Sequence, residues 1–201
     1  MNDERQRARD LRARVTGRGV YPVEYAHWLL SPFRNLTLPA GRVVRRLQLK
    51  PTDHVLEIGS GPGYFSPAVA RAVHRGKLTL FDLQPEMLEL ARKRLLARQL
   101  SNFECFSGSA VSLPFSEASF DAAFMVTVLG EVGEAQDRQH AVVEAARVLK
   151  PGGLLSITEM FGDPDYVRIA ELERYADVAK LALERRYGPR FLYTCNLRKT
   201  G

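Results

Sequence analysis

Residues 55–66 read V-L-E-I-G-S-G-P-G-Y-F-S, an apolar run holding one acid, followed by a glycine-rich turn. Residues 55–58 have the composition of a buried strand. Gly59, Gly61 and Gly63 permit a tight turn whose bare backbone a ligand can approach closely. The segment 65–74, with Val69, Ala70 and Val73 along it, predicts a helix. A strand, a glycine turn and a helix N-terminus together suit an anionic group, because free N–H groups and the helix dipole point into the turn.

Working outward, the chain from residue 53 alternates strand and helix with short turns, which predicts βαβ units and a parallel sheet. Strands are expected at 77–82, 103–107, 120–126 and 154–160, and helices at 85–98, 135–149 and 166–179, with Lys150-Pro151-Gly152-Gly153 stopping the second of these helices. Two closing strands, 181–186 and 191–198, are joined by a hairpin-length link, so the last should run antiparallel. Ahead of this core, residues 21–47 carry Tyr21, Tyr25, Trp28, Leu29, Phe33 and Leu36 between prolines, which predicts short helices packed on the core and a helix at 41–47. The expected division is a basic arm over 1–19, a helical cap over 20–50 and a ligand-binding core over 51–201.

The chain has 201 residues and a formal net charge of +6, which permits one full core and not two ordinary domains. The charge is unevenly placed. Residues 1–50 hold eleven Lys/Arg against four Asp/Glu, 51–182 hold thirteen against eighteen, and 183–201 hold five against one. Basic flanks around an acidic core admit an anionic partner, or simply a solvated arm. The lack of aromatics among Arg5–Arg18 favours the arm over a nucleic-acid platform. No charge-free apolar stretch is long enough to cross a bilayer. Asp3, Glu4 and Asp10 among the arginines, with no apolar run, do not read as a secretory signal. Cys105 and Cys195 are isolated, so reduced thiols, no metal site and a cytoplasmic location are expected.

Asp82 closes the second expected strand in L-T-L-F-D-L-Q-P-E-M-L (78–88). A carboxylate at a strand's carboxyl end can accept both hydroxyls of a ribose, although Pro85 and Glu86 also suit a helix cap there. The glycines fall as G-x-G-x-G with Glu57 two residues ahead, not as the G-x-G-x-x-G of dinucleotide dehydrogenases. That form resembles motif I of the class I S-adenosylmethionine (SAM) dependent methyltransferases. Three further segments in order, G-S-A-V-S-L-P-F (108–115), S-F-D-A-A-F-M-V-T-V-L-G-E-V (119–132) and R-V-L-K-P-G-G-L-L (147–155), resemble members of the ubiquinone/menaquinone-biosynthesis type. The likeness is strong over about 50–160 and weaker to the end.

The resemblance implies an α/β fold, a doubly wound, mostly parallel seven-stranded sheet of order 3-2-1-4-5-7-6 with the last strand antiparallel, under a short N-terminal helical cap. It implies SAM as cofactor, lying across the ends of strands 1, 2 and 4. Carried over by position, Gly59, Ser60, Gly61 and Gly63 would cradle its methionine portion and Glu57 would lie beneath its amino group. Asp82 would hold the ribose, Leu83 and Met87 would pack the adenine, and Ser109, the Ala110 backbone and Val126 would complete the contacts. Two departures stand out. Ser109 occupies a place where family members often carry an acid, and Gly130-Glu131 one where many carry histidines. Glu131 and His27 are the catalytic candidates, as a general base or a grip on the acceptor. Tyr21, Tyr25, Trp28, Phe33, Glu131, Met160 and Tyr166 are the expected substrate pocket, with 159–166 bearing on substrate choice. Without N-P-P-Y after strand four, base amino-methylation is disfavoured, and a small apolar or aromatic acceptor is expected. An RNA methyltransferase using the basic flanks, or a non-catalytic SAM-binding subunit, are the alternatives.

Overall fold

The computed structural model describes residues 21–31, 34–161 and 166–200. The basic arm over 1–19, Phe33 and positions 162–165 of the segment expected to select substrate lie outside the described residues.

A seven-stranded sheet of order β3-β2-β1-β4-β5-β7-β6 forms the centre. Its strands are β1 (His54–Ile58), β2 (Lys77–Asp82), β3 (Phe103–Ser107), β4 (Phe120–Val126), β5 (Leu149–Met160), β6 (Leu181–Tyr187) and β7 (Leu192–Lys199). All neighbouring pairs are parallel except those of β7, which runs antiparallel to both β5 and β6. The chain order reverses at β1, where β2 lies on one side and β4 on the other. That is where an open α/β sheet leaves a crevice at its carboxyl edge.

Three short helices precede the sheet: α1 (Ala26–Leu29), α2 (Arg34–Thr37) and α3 (Ala40–Leu47). The crossover helices are α4 (Ser66–Ala72), α5 (Pro85–Leu96), α6 (Ala135–Val148) and α7 (Ile169–Val178). Because side chains alternate across a strand, β1 feeds both layers. Val55 packs with Leu47, Val69, Leu88 and Leu95 on the α3–α5 side. Leu56 and Ile58 pack with Ala141, Ala145 and Tyr175 on the α6–α7 side. Both faces are therefore closed, as a parallel sheet requires.

Three local features depart from the expected elements. The strand β5 begins at Leu149, directly after α6, because Leu149 pairs with Phe120 before Leu154 pairs with Ala122. Lys150–Gly153 is thus an outward bulge within the strand rather than a stop before it. Helix α7 starts at Ile169, not 166. Tyr166 stays out of the helix, where its ring meets those of Phe161 and Tyr193 and its hydroxyl donates to the Arg190 carbonyl. His74 lies in the turn after α4, exposed, rather than within a helix. The connection from β3 to β4 is clamped by Arg147, whose guanidinium donates to the carbonyls of Phe115 at 2.8 Å and Leu113 at 2.9 Å while pairing with Glu144 at 2.7 Å. This fixes the loop that carries Gly108–Val111 to the sheet's edge.

Among the described residues no helix is long and apolar enough to cross a membrane.

Candidate active site

The turn after β1 closes through its own backbone. The N–H groups of Gly59 and Ser60 donate to the Phe81 carbonyl at 2.8 and 3.2 Å, and Gly63 donates to the Ser60 carbonyl at 3.1 Å. Gly59 has φ +68°, and a Cβ there would stand 2.4 Å from a Val128 methyl. Gly63 has φ +77°, and a Cβ there would meet Ala91 of α5 at 2.9 Å. Left-handed backbone and close approach both demand glycine at these positions.

Asp82 sits beside that turn at the carboxyl end of β2. Its Oδ2 accepts the Gly61 N–H at 2.7 Å and its Oδ1 accepts the Gln84 N–H at 3.0 Å. Burial pushes its carboxyl above the usual range, and the backbone hydrogen bonds oppose that shift. An ionised carboxylate has roughly four acceptor sites, so capacity for a ligand remains beyond these backbone bonds. Glu57, one residue before the end of β1, is 2% exposed and its Oε2 accepts the Ser66 hydroxyl at 2.6 Å. Burial pushes its carboxyl up to about 8, the Ser66 hydroxyl opposes this, and the nearby Asp82 charge adds to it. Burial thus favours the neutral form of Glu57 under the turn.

One cavity of about 450 Å³ joins these parts, within the range for small-molecule sites. Of the residues predicted for the cofactor, Gly59, Ser60, Gly61, Asp82, Leu83, Met87, Ser109, Ala110 and Val126 line it, whereas Glu57 and Gly63 lie behind its wall. Of those predicted for the acceptor, Tyr21 and Glu131 line it, and Tyr25, His27, Trp28, Met160 and Tyr166 are not among its lining. Helix α1 is only one turn long. It presents Leu29 to the cavity, and residues along that turn are rotated by about 100° each, so Trp28 is carried outward to 63% exposure. His27 meets Trp28 at a tilt of 39° on the exposed side, 5.4 Å between ring centroids. Met160 packs against the core with Leu192.

Residues that the sequence reading passed over complete the wall. Arg34, Tyr64, Gln84, Thr127 and Val128 all line the cavity. Gln84 donates from Nε2 to the Tyr21 carbonyl at 2.7 Å, which ties the start of the cap to the β2–α5 loop. Thr127, the residue after β4, holds φ +54° and donates its N–H to the Thr158 carbonyl at 2.8 Å. A β-branched residue in that region costs on the order of 1–3 kcal/mol, a strain found mostly at functional sites. No sequence signal marks Arg34 or Thr127, since each acquires its place through contacts distant along the chain.

The donor set fits SAM. Ser60 Oγ is buried in the wall with no hydrogen-bond partner among the described residues, and no neighbour but Leu29 lies within 4 Å of a Cβ built on Gly61. Together they leave an open cradle beside a polar atom suited to a ligand's donor. Asp82 offers acceptors for a diol, and the apolar pair Leu83 and Met87 offers a face for a base. At the far end Ser109 is exposed, and its hydroxyl accepts only a marginal contact from the Val111 N–H at 3.5 Å. Ser109→Asp is expected to tighten SAM binding by about 0.5–1.5 kcal/mol by supplying a charged acceptor for the adenine amino group. Calorimetric titration checks this, and weaker binding would mean that added negative charge beside Asp82 outweighs the new hydrogen bond.

Comparison with known proteins adds a family relation. The family described as Methyltransferase domain matches residues 55–153. A demethylmenaquinone methyltransferase of Tropheryma whipplei is 35% identical over 134 residues, covering 67% of this chain and 48% of its own. A ubiquinone/menaquinone biosynthesis C-methyltransferase of a Ruegeria species is 35% identical over 113 residues, covering 55% and 43% respectively. The chain therefore spans about half the length, or less, of these curated relatives. Among solved structures, a SAM-dependent methyltransferase from Aquifex aeolicus superposes with a TM-score of 0.81 over 90% of this chain and 100% of its own. At 20% identity that likeness concerns the fold.

Proposed function

The chain belongs to the class I SAM-dependent methyltransferases, a family whose cofactor is SAM, and from that membership we propose that it moves the S-methyl group of SAM to a small, apolar or aromatic acceptor. The observation that carries this reading is the continuity of one cavity. Its lining joins Asp82 and the glycine turn with Tyr21, Leu29, Tyr64, Thr127 and Glu131. Asp82 and the turn suit the cofactor, and the remaining lining suits an acceptor of modest size. The apolar and aromatic residues of this lining support an apolar or aromatic acceptor over a polymer, and the names of the relatives agree with a quinone-like ring.

When bound, SAM supplies a methyl carbon made electrophilic by its sulfonium. Everything else falls to the chain's own residues, and most of it is positioning, since an aligned pair of reactants recovers much of the barrier. Asp82, with the buried Ser60 hydroxyl and the open cradle at Gly61, would hold the cofactor in register. Tyr21 and Leu29 of the cap, with Tyr64, would keep water from the cavity. The acceptor's lone pair forms the new bond to carbon as the carbon–sulfur bond breaks, and the acceptor's proton must then leave. Glu131, which lines the same cavity, would take it.

The test is formation of S-adenosylhomocysteine against matched panels of phenols, quinols, amines and short RNAs. Turnover with aromatic small molecules and none with RNA is the expected result. Turnover with RNA alone, falling steeply with salt, would contradict the small-acceptor reading.

A further inference from the structure

The two helical layers on the sheet carry opposite charge. On one face α3, α4 and α5 hold seven Lys/Arg against two Asp/Glu, whereas α6 and α7 on the other hold three against five. Helix α4 touches both α3 and α5, so the basic layer is continuous. On the acidic face two of the three arginines are paired, Arg138 with Glu171 at 3.2 Å and Arg147 with Glu144 at 2.7 Å. On the basic face the ion pairs all use Glu89, with Arg92 at 2.9 Å and Lys93 at 3.5 Å. Arg42, Arg45, Arg46, Arg71, Arg94 and Arg98 pair with no acid among the described residues. The hydrogen bonds they make go to neutral oxygens: Arg46 to Thr194 Oγ1 at 2.6 Å, Arg71 to the Pro67 carbonyl at 3.5 Å and Arg98 to the Arg94 carbonyl at 3.0 Å. Burial, with Arg42 and Arg45 beside it, holds the Arg46 guanidinium below its ordinary range, and burial with Arg98 does the same to Arg94.

A face crowded with like charge gains by meeting an anionic partner. Nucleic acid and an anionic bilayer both match it in sign, and two observations favour the bilayer. Helices α3, α4 and α5 contain no Phe, Tyr or Trp, so no such ring stands among their arginines for a base to stack on. Leu90 and Leu96 of α5 are instead 38% and 48% exposed, apolar contacts suited to the headgroup boundary. We infer that the α3–α5 face docks on an anionic lipid bilayer, with its arginines on the headgroup phosphates. The choice of a bilayer also rests on the apolar-acceptor reading, since an apolar acceptor partitions into lipid and a surface-bound enzyme would meet it there.

The full chain, without SAM, is sedimented with vesicles of phosphatidylcholine alone and with vesicles in which about one third is phosphatidylglycerol. Binding to the anionic vesicles is expected to be at least about tenfold tighter, and to weaken as salt is raised. Arg42→Gln combined with Arg45→Gln should lose at least about tenfold. Arg174→Glu on α7, an exposed site on the other face, removes the same net charge and should change binding less than about twofold. Arg71→Gln combined with Arg98→Gln gives a second reading from α4 and α5 should the first pair fail to fold. No preference for anionic vesicles, equal losses from the two faces, or tighter binding to a short RNA duplex at equal phosphate concentration would each overturn the inference, the last in favour of nucleic acid. Vesicle binding needs neither SAM nor turnover, so its failure leaves the methyl-transfer reading standing, and absence of turnover on any apolar acceptor would count against that reading alone.

Discussion

Asp82→Ala is expected to weaken SAM binding by about 2–3 kcal/mol, roughly 30- to 160-fold, in a direct titration. The residue does two things at once. Its oxygens brace the site by accepting the N–H groups of Gly61 and Gln84, and the residue lines the cavity beside the cradle. Alanine therefore removes a charge-assisted acceptor and also leaves two backbone donors to find water or distort the turn. Asp82→Asn separates these roles. It keeps an acceptor oxygen for the turn and loses the charge, so its affinity should fall between wild type and alanine. Unchanged affinity in Asp82→Ala with the fold intact would restrict Asp82 to bracing the loop.

Glu57→Gln should stabilise the cofactor-free protein at alkaline pH and weaken its grip on SAM. Burial raises the Glu57 carboxyl from its ordinary 4.5 to about 8. For an acid with a raised folded pKa, the folded state binds more protons than the unfolded chain between those two values. Its contribution to stability is thus fully present below about 4.5, is lost as pH rises, and levels off above about 8. Ionising it in the folded state costs on the order of several kcal/mol over that window. Glutamine keeps an acceptor for the Ser66 hydroxyl and cannot ionise. Its melting temperature should therefore fall less than that of wild type between pH 5 and 8. If the cofactor's ammonium lies over Glu57, binding must ionise the acid below its pKa. SAM affinity of wild type should then rise about tenfold from pH 6 to 7, with the variant nearly flat. Parallel affinity profiles for the two proteins would confine Glu57 to a structural role under the turn.

What the sequence disclosed follows the range of the forces involved. The strands at 77–82, 103–107 and 120–126 have the bounds expected of them: the first and third are largely apolar and buried between turn residues, whereas 103–107 is an edge strand with no buried residue. The glycine turn and Asp82 were legible for a similar reason. The turn is contiguous, and Asp82 closes the next strand, which pairs directly with β1. The start of β5 was hidden because Leu149 joins the sheet through Phe120, a partner nearly thirty residues away, while Lys150–Gly153 has the composition of a helix stop. The cap resisted reading most. Its aromatics are dense, but which of them turns inward depends on the rotation of one-turn helices broken by prolines. Tyr21 and Leu29 face the cavity, and Trp28 does not. Arg34 and Thr127 meet only in the folded chain, and neither residue type announces a wall of a binding site.

The central claim is that the Glu57–Gly63 turn and Asp82 bind SAM rather than a dinucleotide, and a paired thermal and calorimetric titration of the protein with SAM and NAD tests it most directly. SAM should bind at a single site and, at a hundredfold excess over its Kd, stabilise the native state by about 2.7 kcal/mol, a rise in melting temperature of roughly 5–10 °C for a chain of this size. NAD should give no shift, and Asp82→Ala should lose most of the response to SAM. A shift with NAD and none with SAM would contradict the account.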